Sequence, residues 1–209
     1  MVTIERILDC EACFGNVEAV IFDLDDTLYS EKAYVRSGYR AVAEAFPQIE
    51  DMKEKLWRAF EEGLPAIDTV LKNEGLWSEE TKAKALECYR LQEPQIALYQ
   101  GVEEMLKRLK QTKRLGLITD GRPEGQRAKI KSLGLIAYFD RIIITDELGG
   151  IGFRKPNPLA FRQMQEALGT SFEKMIYVGD NLNKDFIAPT ALGMQCCYFK
   201  NADGLYYRP

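Results

Sequence analysis

Short apolar runs that stop abruptly at acids, glycines or asparagines recur along this chain. Residues 19–22 (Ala-Val-Ile-Phe) stand directly before Asp23-Leu-Asp-Asp-Thr27. Further runs follow at 115–119, 141–145, 174–178 and 195–199, each short and rich in apolar or β-branched side chains. Such runs, bounded by turn formers, predict buried parallel strands. Between them the apolar spacing becomes helical over 102–111, 123–133, 158–168 and 184–192. A glycine stands just past the last apolar residue at 134, 169 and 193, the mark of a left-handed helix cap. Strands alternating with helices predict an α/β fold, a parallel sheet sandwiched between helices, with functional residues at the carboxyl ends of the strands.

One stretch breaks the alternation. From Tyr29 to about Gln100 no strand is evident, only helical spacing over 34–46, 52–61, 66–73 and 79–91, punctuated by Pro47, Gly63-Leu-Pro65 and Gly75. This predicts a small helical insert at 29–99 within a core formed by 1–28 and 100–209. Entering after the first strand, it would hang over the site.

A chain of 209 residues is long enough for one large domain, or one domain with an insert. With 46% hydrophobic and 29% charged residues it has the composition of a folded globular protein. The chain contains no histidine, which excludes Ser-His-Asp and Cys-His constellations and histidine-ligated metal sites. The balance of 28 basic against 32 acidic residues, net charge −4, argues against a nucleic-acid partner. Five cysteines, an odd number without a disulfide-framework spacing, point to a reducing compartment, so a cytoplasmic location is expected. No stretch approaches the roughly 18 apolar residues of a membrane span, and neither export nor a membrane partner is expected. The pattern assigns no role to residues 1–17 and no oligomeric state.

The polar clusters that end the strands carry the chemistry. Residues two apart in an extended segment point the same way, so Asp23 and Asp25 come together where the first strand ends. Two such carboxylates repel unless they bind a cation or share a proton. Thr119-Asp120-Gly121 follows the second strand, Lys155-Pro156 lies after Arg154, and Gly179-Asp180 with Asp185 follows the fourth strand. Taken singly, each has a plain structural reading: an acidic surface turn, a hydroxyl satisfying backbone, a solvated lysine, a helix N-cap. Taken in this order, on a parallel sheet, all four converge on one rim.

With these four clusters the chain resembles the haloacid dehalogenase superfamily, over roughly residues 18–200. The matching motifs are Asp23-Leu-Asp-Asp-Thr27, Thr119, Lys155, and Gly179-Asp180 with Asp185. The resemblance implies a Rossmann-like core, with residues 29–99 as the helical C1 cap of that superfamily's first subclass. It implies that Asp23 attacks phosphorus to form an aspartyl-phosphate, and that Asp25 serves as acid and then base, with a pKa raised by its acidic neighbours. Thr119, the amide of Asp120 and Gly121 would hold a phosphoryl oxygen while Lys155 neutralises charge. Four carboxylates facing a phosphate dianion need a cation beyond Lys155, and an all-oxygen ligand set favours Mg²⁺. Asp23 and Asp180 would bind it through carboxylates and Asp25 through its backbone carbonyl, with Asp185 a ligand or an orienting group.

The dehalogenases that name the superfamily lack an acid at the position of Asp25 and need no metal, so Asp25 argues for phosphoryl transfer. The expected activity is a Mg²⁺-dependent phosphatase of a small phosphorylated metabolite, a sugar phosphate ahead of a nucleoside monophosphate. A phosphomutase resembling β-phosphoglucomutase shares the same residues and stays open. A non-enzymatic phospho-acceptor of the receiver type would carry its aspartate after the third strand, whereas here the paired aspartates follow the first. A binding protein derived from the family would be expected to lack a motif residue, and none is missing.

The remaining signals read as structure. Cys10-Glu-Ala-Cys13 has no second pair to close a zinc site. Cys196-Cys197 lies inside a strand, and Gly149-Gly-Ile-Gly152 reads as the turn that brings Lys155 to the rim. The insert's aromatics, including Tyr39, Trp57 and Phe60, read as its core rather than a base-stacking platform, with Tyr29 and Tyr34, nearest the aspartates, as the expected exceptions.

Overall fold

The computed structural model describes residues 1–207, and in it the five predicted apolar runs are strands. In chain order the strands are β1 (Val2–Ile4), β2 (Ala19–Phe22), β3 (Arg114–Thr119), β4 (Arg141–Ile144), β5 (Met175–Gly179) and β6 (Gln195–Phe199). All pair in parallel, in the order β1-β6-β5-β2-β3-β4. The central strand, β2, pairs Phe22 with Leu117 of β3 and with Val178 of β5. All four of its residues are buried, as a strand covered on both faces requires.

Alternation along β2 divides the core. Ala19 and Ile21 join a cluster with Ile118, Phe161, Met164 and Tyr177 on one face, while Phe22 meets Phe139 edge-on at 6.3 Å on the other. The strand that sequence reading missed is β1. Its three residues have only Ile4 buried, too short a run for alternation to show, and it is defined by its pairing with β6 rather than by its own pattern. Residues 1–17 thus add an edge strand and a 3₁₀ turn at Ile7–Cys13 that carries Cys10 and Cys13.

Two compact units divide the chain, Met1–Glu31 with Ala97–Pro209, and Lys32–Ile96. Within the first unit, α5 (Val102–Leu109), α6 (Pro123–Ser132), α7 (Leu159–Leu168) and α8 (Ile187–Ala191) accompany the strands. Gly134, Gly169 and Gly193 take left-handed backbone angles after three of them. The last helix is shorter than its apolar spacing predicts. Residues 181–185 instead close a tight loop, in which Asp185 N donates to Asn181 O and Asp185 Oδ2 accepts from Asn181 N, both at 2.9 Å.

The second unit is helical. It comprises α1 (Glu31–Ala45, whose first residue belongs to the first unit), α2 (Met52–Glu61), α3 (Ala66–Asn73) and α4 (Glu79–Arg90). Its core holds Val42, Leu56, Leu71 and Ala85, all fully buried, with Tyr39 beside them. Trp57 and Phe60 pack against this core, and the Arg36 guanidinium lies 3.9 Å over the Trp57 ring. Gly38 sits inside α1 because a Cβ there would lie 2.4 Å from Tyr89 ring carbons. Close approach outweighs the ~1 kcal/mol that a mid-helix glycine costs relative to alanine. Tyr34 meets Tyr89 edge-on at 6.0 Å, so it too is part of this packing. No helix among the described residues is long and apolar enough to cross a membrane.

Candidate active site

The carboxyl ends of β2, β3 and β5 bring the predicted residues to one rim. Asp23 continues the ladder beyond β2, its N–H donating to Val178 O at 2.9 Å. The chain then turns sharply over Leu24–Thr27, and Leu28 N returns to Leu24 O at 3.0 Å. Asp26 sits at φ 54° in this turn and is held from three sides. Its carboxylate accepts Glu31 N at 2.8 Å and Leu205 N at 2.7 Å, and its carbonyl accepts Asn201 Nδ2 at 2.8 Å. The first of these bonds satisfies an otherwise orphaned amide where α1 begins. The hydroxyl of Thr27 lies 3.5 Å from Asp23 Oδ2 and 3.4 Å from Asp180 Oδ1, bridging two carboxylates.

Buried Asn201 also donates to the Tyr99 hydroxyl at 2.9 Å and accepts from Asp203 N at 3.1 Å. Replacing Asn201 with alanine would strand the Asp26 carbonyl. The expected cost is about 2 kcal/mol, or a fall of about 4–8 °C in a thermal melt. A midpoint unchanged from wild type would contradict this account of the turn.

Lys155 is wholly buried beneath the aspartates. Its ammonium pairs with Asp23, donates to the Tyr177 hydroxyl at 2.9 Å and lies 2.8 Å from Asp185 Oδ1. Gly179 is dictated by space, since a Cβ there would sit 2.6 Å from Asp185 Oδ2. The carboxylates of Asp23, Asp180 and Asp185 are all buried, with one oxygen of each lying within 4.8 Å of the others. Asp185 Oδ1 accepts no hydrogen bond; its contact with Lys155 is an ion pair by distance alone.

Electrostatics shows how crowded this triad is. Burial pushes Asp23 up to about 7 against the pull of Lys155, with Asp185 adding to the rise. Burial together with Asp23 and Asp185 pushes Asp180 up to about 9. Burial opposes the charge on Lys155, yet Asp185 and Asp23 outweigh it and hold the ammonium well above its ordinary value. One ammonium therefore serves three carboxylates, and the triad remains short of positive charge. An unsatisfied buried oxygen within an all-carboxylate set fits a hard divalent cation.

Asp25 stands apart from the triad. Burial pushes its carboxyl up, but Lys129 and hydrogen bonds from Lys129, Tyr29 and Gln126 outweigh burial and hold it below the ordinary value. This corrects the expectation that acidic neighbours raise it: the nearest charge is a buried cation, not an acid. Its carboxylate is likewise not among the clustered metal-ligand oxygens. Glu31 is the acid that rises beside it, to about 8, through burial and then the charge on Asp25, and its Oε2 is buried without a hydrogen-bond partner.

Thr119 and Gly121 are where the motif predicts. Thr119 is buried, with Gln126 Nε2 donating to its hydroxyl at 2.5 Å, and Gly121 lines the same pocket as Asp23, Asp25 and Asp180. Asp120 contributes more than the amide expected of it. Its carboxylate accepts Thr145 Oγ1 at 2.9 Å, Lys155 N at 3.0 Å and Lys184 Nζ at 2.8 Å, so it fixes the backbone that presents Lys155. Burial raises Asp120, but Lys155 and Lys184 outweigh it and keep its pKa low. Arg154 braces the same loop with two 2.7 Å bonds to Asp146.

Sequence reading singled out Tyr29 for its nearness to the aspartates, where its hydroxyl donates to Asp25, but missed Gln126, Lys129, Glu31, Tyr177 and Lys184. Only Gln126 and Lys129 left a local trace, standing three apart on the helix that opens just after Thr119-Asp-Gly. Among the described residues the cysteines form no metal cluster, although Cys13 and Cys197 sulfurs lie 3.8 Å apart.

Known proteins share both the sequence and the architecture. A family model described as haloacid dehalogenase-like hydrolase matches residues 20–199. The glyceraldehyde 3-phosphate phosphatase of Methanopyrus kandleri is 29% identical over 194 residues, covering 85% of this chain and 82% of that protein. The pyrimidine 5'-nucleotidase YjjG of Escherichia coli is 24% identical, covering 86% and 84%. The magnesium-bound HAD-hydrolase YfnB of Bacillus subtilis shares the fold, with a TM-score of 0.65 at 24% identity and coverage of 88% and 86%.

Proposed function

The chain belongs to the haloacid dehalogenase-like hydrolases, and from that premise we propose that it is a Mg²⁺-dependent phosphatase of a small phosphorylated metabolite. The observation that carries this reading is Asp25. A second carboxylate, separately held, faces the same pocket as Asp23 and Asp180 of the buried triad. A nucleophile and a distinct proton carrier are what two-step phosphate-ester hydrolysis requires. The two phosphatase relatives, named for hydrolysis of phosphate esters, support the same class.

In the proposed reaction an Asp23 carboxylate oxygen bonds to phosphorus as the bond to the leaving oxygen breaks, and that oxygen takes its proton from Asp25. Water then attacks the aspartyl-phosphate and gives a proton back to Asp25, releasing inorganic phosphate and restoring Asp23. In this reading the Thr119 hydroxyl and the Lys155 ammonium steady phosphoryl oxygens. Asp25 rests ionised beside Lys129, suited to the base step. A phosphate dianion entering beside it raises the cost of that charge, so Asp25 takes up a proton from solvent before the acid step and returns one to solvent after phosphate leaves. Asp23, Asp180 and Asp185, with the Asp25 carbonyl, would hold Mg²⁺, which supplies neutralising charge for phosphate oxygens when bound.

Sugar and triose phosphates are the first substrate class and nucleoside monophosphates the second, in keeping with the glyceraldehyde 3-phosphate phosphatase and the pyrimidine 5'-nucleotidase among the relatives. The test is release of inorganic phosphate from a panel of both classes and from p-nitrophenyl phosphate, with Mg²⁺ or with chelator. Metal-dependent release from at least one ester is expected. No release from any ester would overturn the reading and favour a mutase or a binding role.

A further inference from the structure

We infer that Gln126 and Lys129 are positioning residues that aim the Asp25 carboxylate at the leaving-group oxygen. The inference rests on the phosphatase reading and adds to it the parts that make Asp25 effective. Asp25 Oδ1 accepts Lys129 Nζ at 2.6 Å and the Tyr29 hydroxyl, and Oδ2 accepts Gln126 Nε2 at 2.8 Å. An ionised carboxylate offers about four lone-pair sites. Three donors therefore fix its plane and leave one site for the proton that chemistry moves.

The same Gln126 amide nitrogen donates to the Thr119 hydroxyl. One side chain thus ties the proton carrier to a group on the phosphoryl side, setting their separation. Gln126 and Lys129 share a face of α6 and are 4% and 5% exposed. A buried ion pair is weak evidence for stability, because desolvation offsets most of its attraction. A lysine buried against a carboxylate that faces the pocket is better explained by orientation. Misplacing a catalytic group by about 1 Å costs around 100-fold in rate.

Leaving-group chemistry separates aiming from mere support. An alkoxide needs a proton as it departs, whereas p-nitrophenolate leaves without one. The experiment compares kcat/KM, which reports the bond-breaking half-reaction, for the best alkyl ester of the panel and for p-nitrophenyl phosphate. The proteins are wild type, Lys129→Met, Lys129→Arg and Gln126→Met. Lys129→Met is expected to lose about 100-fold on the alkyl ester and less than about tenfold on the aryl ester. Lys129→Arg should recover part of that loss, and Gln126→Met should show the same selectivity to a smaller degree. Equal losses on both esters, or no loss, would overturn the inference. Should Lys129→Met lack a cooperative melt, Gln126→Met, which keeps the ion pair, decides by the same comparison. A wild type inactive on every ester overturns the phosphatase reading itself, whereas an active wild type with unselective variants overturns only this inference.

Discussion

Asp23→Asn is expected to lower phosphate release by about 10⁴-fold or more while leaving the fold in place. Removing the nucleophile of a catalytic unit typically costs this much or more, and four decades correspond to about 5.5 kcal/mol of activation free energy. The amide has the shape of the carboxylate but cannot form the acyl-phosphate. Lys155 is not stranded by the change, since it keeps Asp185 at 2.8 Å and the Tyr177 hydroxyl at 2.9 Å. Burial already disfavours the charge on Asp23, and Asp185 adds to that, so the substitution relieves repulsion as it removes a partner of Lys155. Phosphate release and a thermal melt, measured side by side, give the check. Turnover within tenfold of wild type would remove Asp23 from the mechanism, and a lost melt would show the residue to be structural.

Chelation is expected to leave the protein less stable at alkaline pH, and Mg²⁺ to restore it. Asp23 rises to about 7, Glu31 to about 8 and Asp180 to about 9, each first through burial. Their ordinary values are 3.8 for the aspartates and 4.5 for the glutamate. Between those values and the raised ones the folded state binds more protons than the unfolded state, so stability falls as pH rises. The decline should run from about pH 5 to about pH 9 in chelator. Asp25 and Asp120, held below their ordinary value, act oppositely and lose their contribution only in acid. A cation on the triad takes the place of those protons, so its affinity rises with pH. At 100 times its Kd, a ligand adds about 2.7 kcal/mol, or roughly 5–10 °C in a chain of this size. Melts at pH 6 and pH 8.5, with Mg²⁺ and with chelator, test it: a Mg²⁺ shift no larger at pH 8.5 than at pH 6 would contradict the triad as the cation site.

These two predictions draw on different kinds of information. Asp23 as the candidate nucleophile follows from the superfamily resemblance, whose motifs are all in the chain: an apolar run followed by Asp-x-Asp, with Thr119, Lys155 and Gly179-Asp180 ending later segments. In a parallel sheet every strand ends on the same rim, so local patterning is enough to predict that these residues meet. Helix positions were legible for the same reason, since a 3.6-residue apolar period is a local property. Among the elements that escaped are β1 and the start of α8, the first because three residues carry no period. The second escaped because residues 181–185 turn back on themselves, overriding helical spacing.

Proton states were not legible, because they depend on which groups the fold places side by side. The sequence alone determined a parallel α/β core with a helical insert after its first strand, and the set of acids, hydroxyl and lysine that end its strands. The tertiary structure decided which acid is charged. Asp25 meets Lys129, a residue 104 positions away, and is held low, while Asp180 meets Asp23 and Asp185 inside the core and is driven high. Likewise Asp26 is pinned by Asn201 and Leu205, more than 170 positions away. Period and turn chemistry act over a few residues, but burial and Coulomb forces act through space between segments that sequence order does not relate.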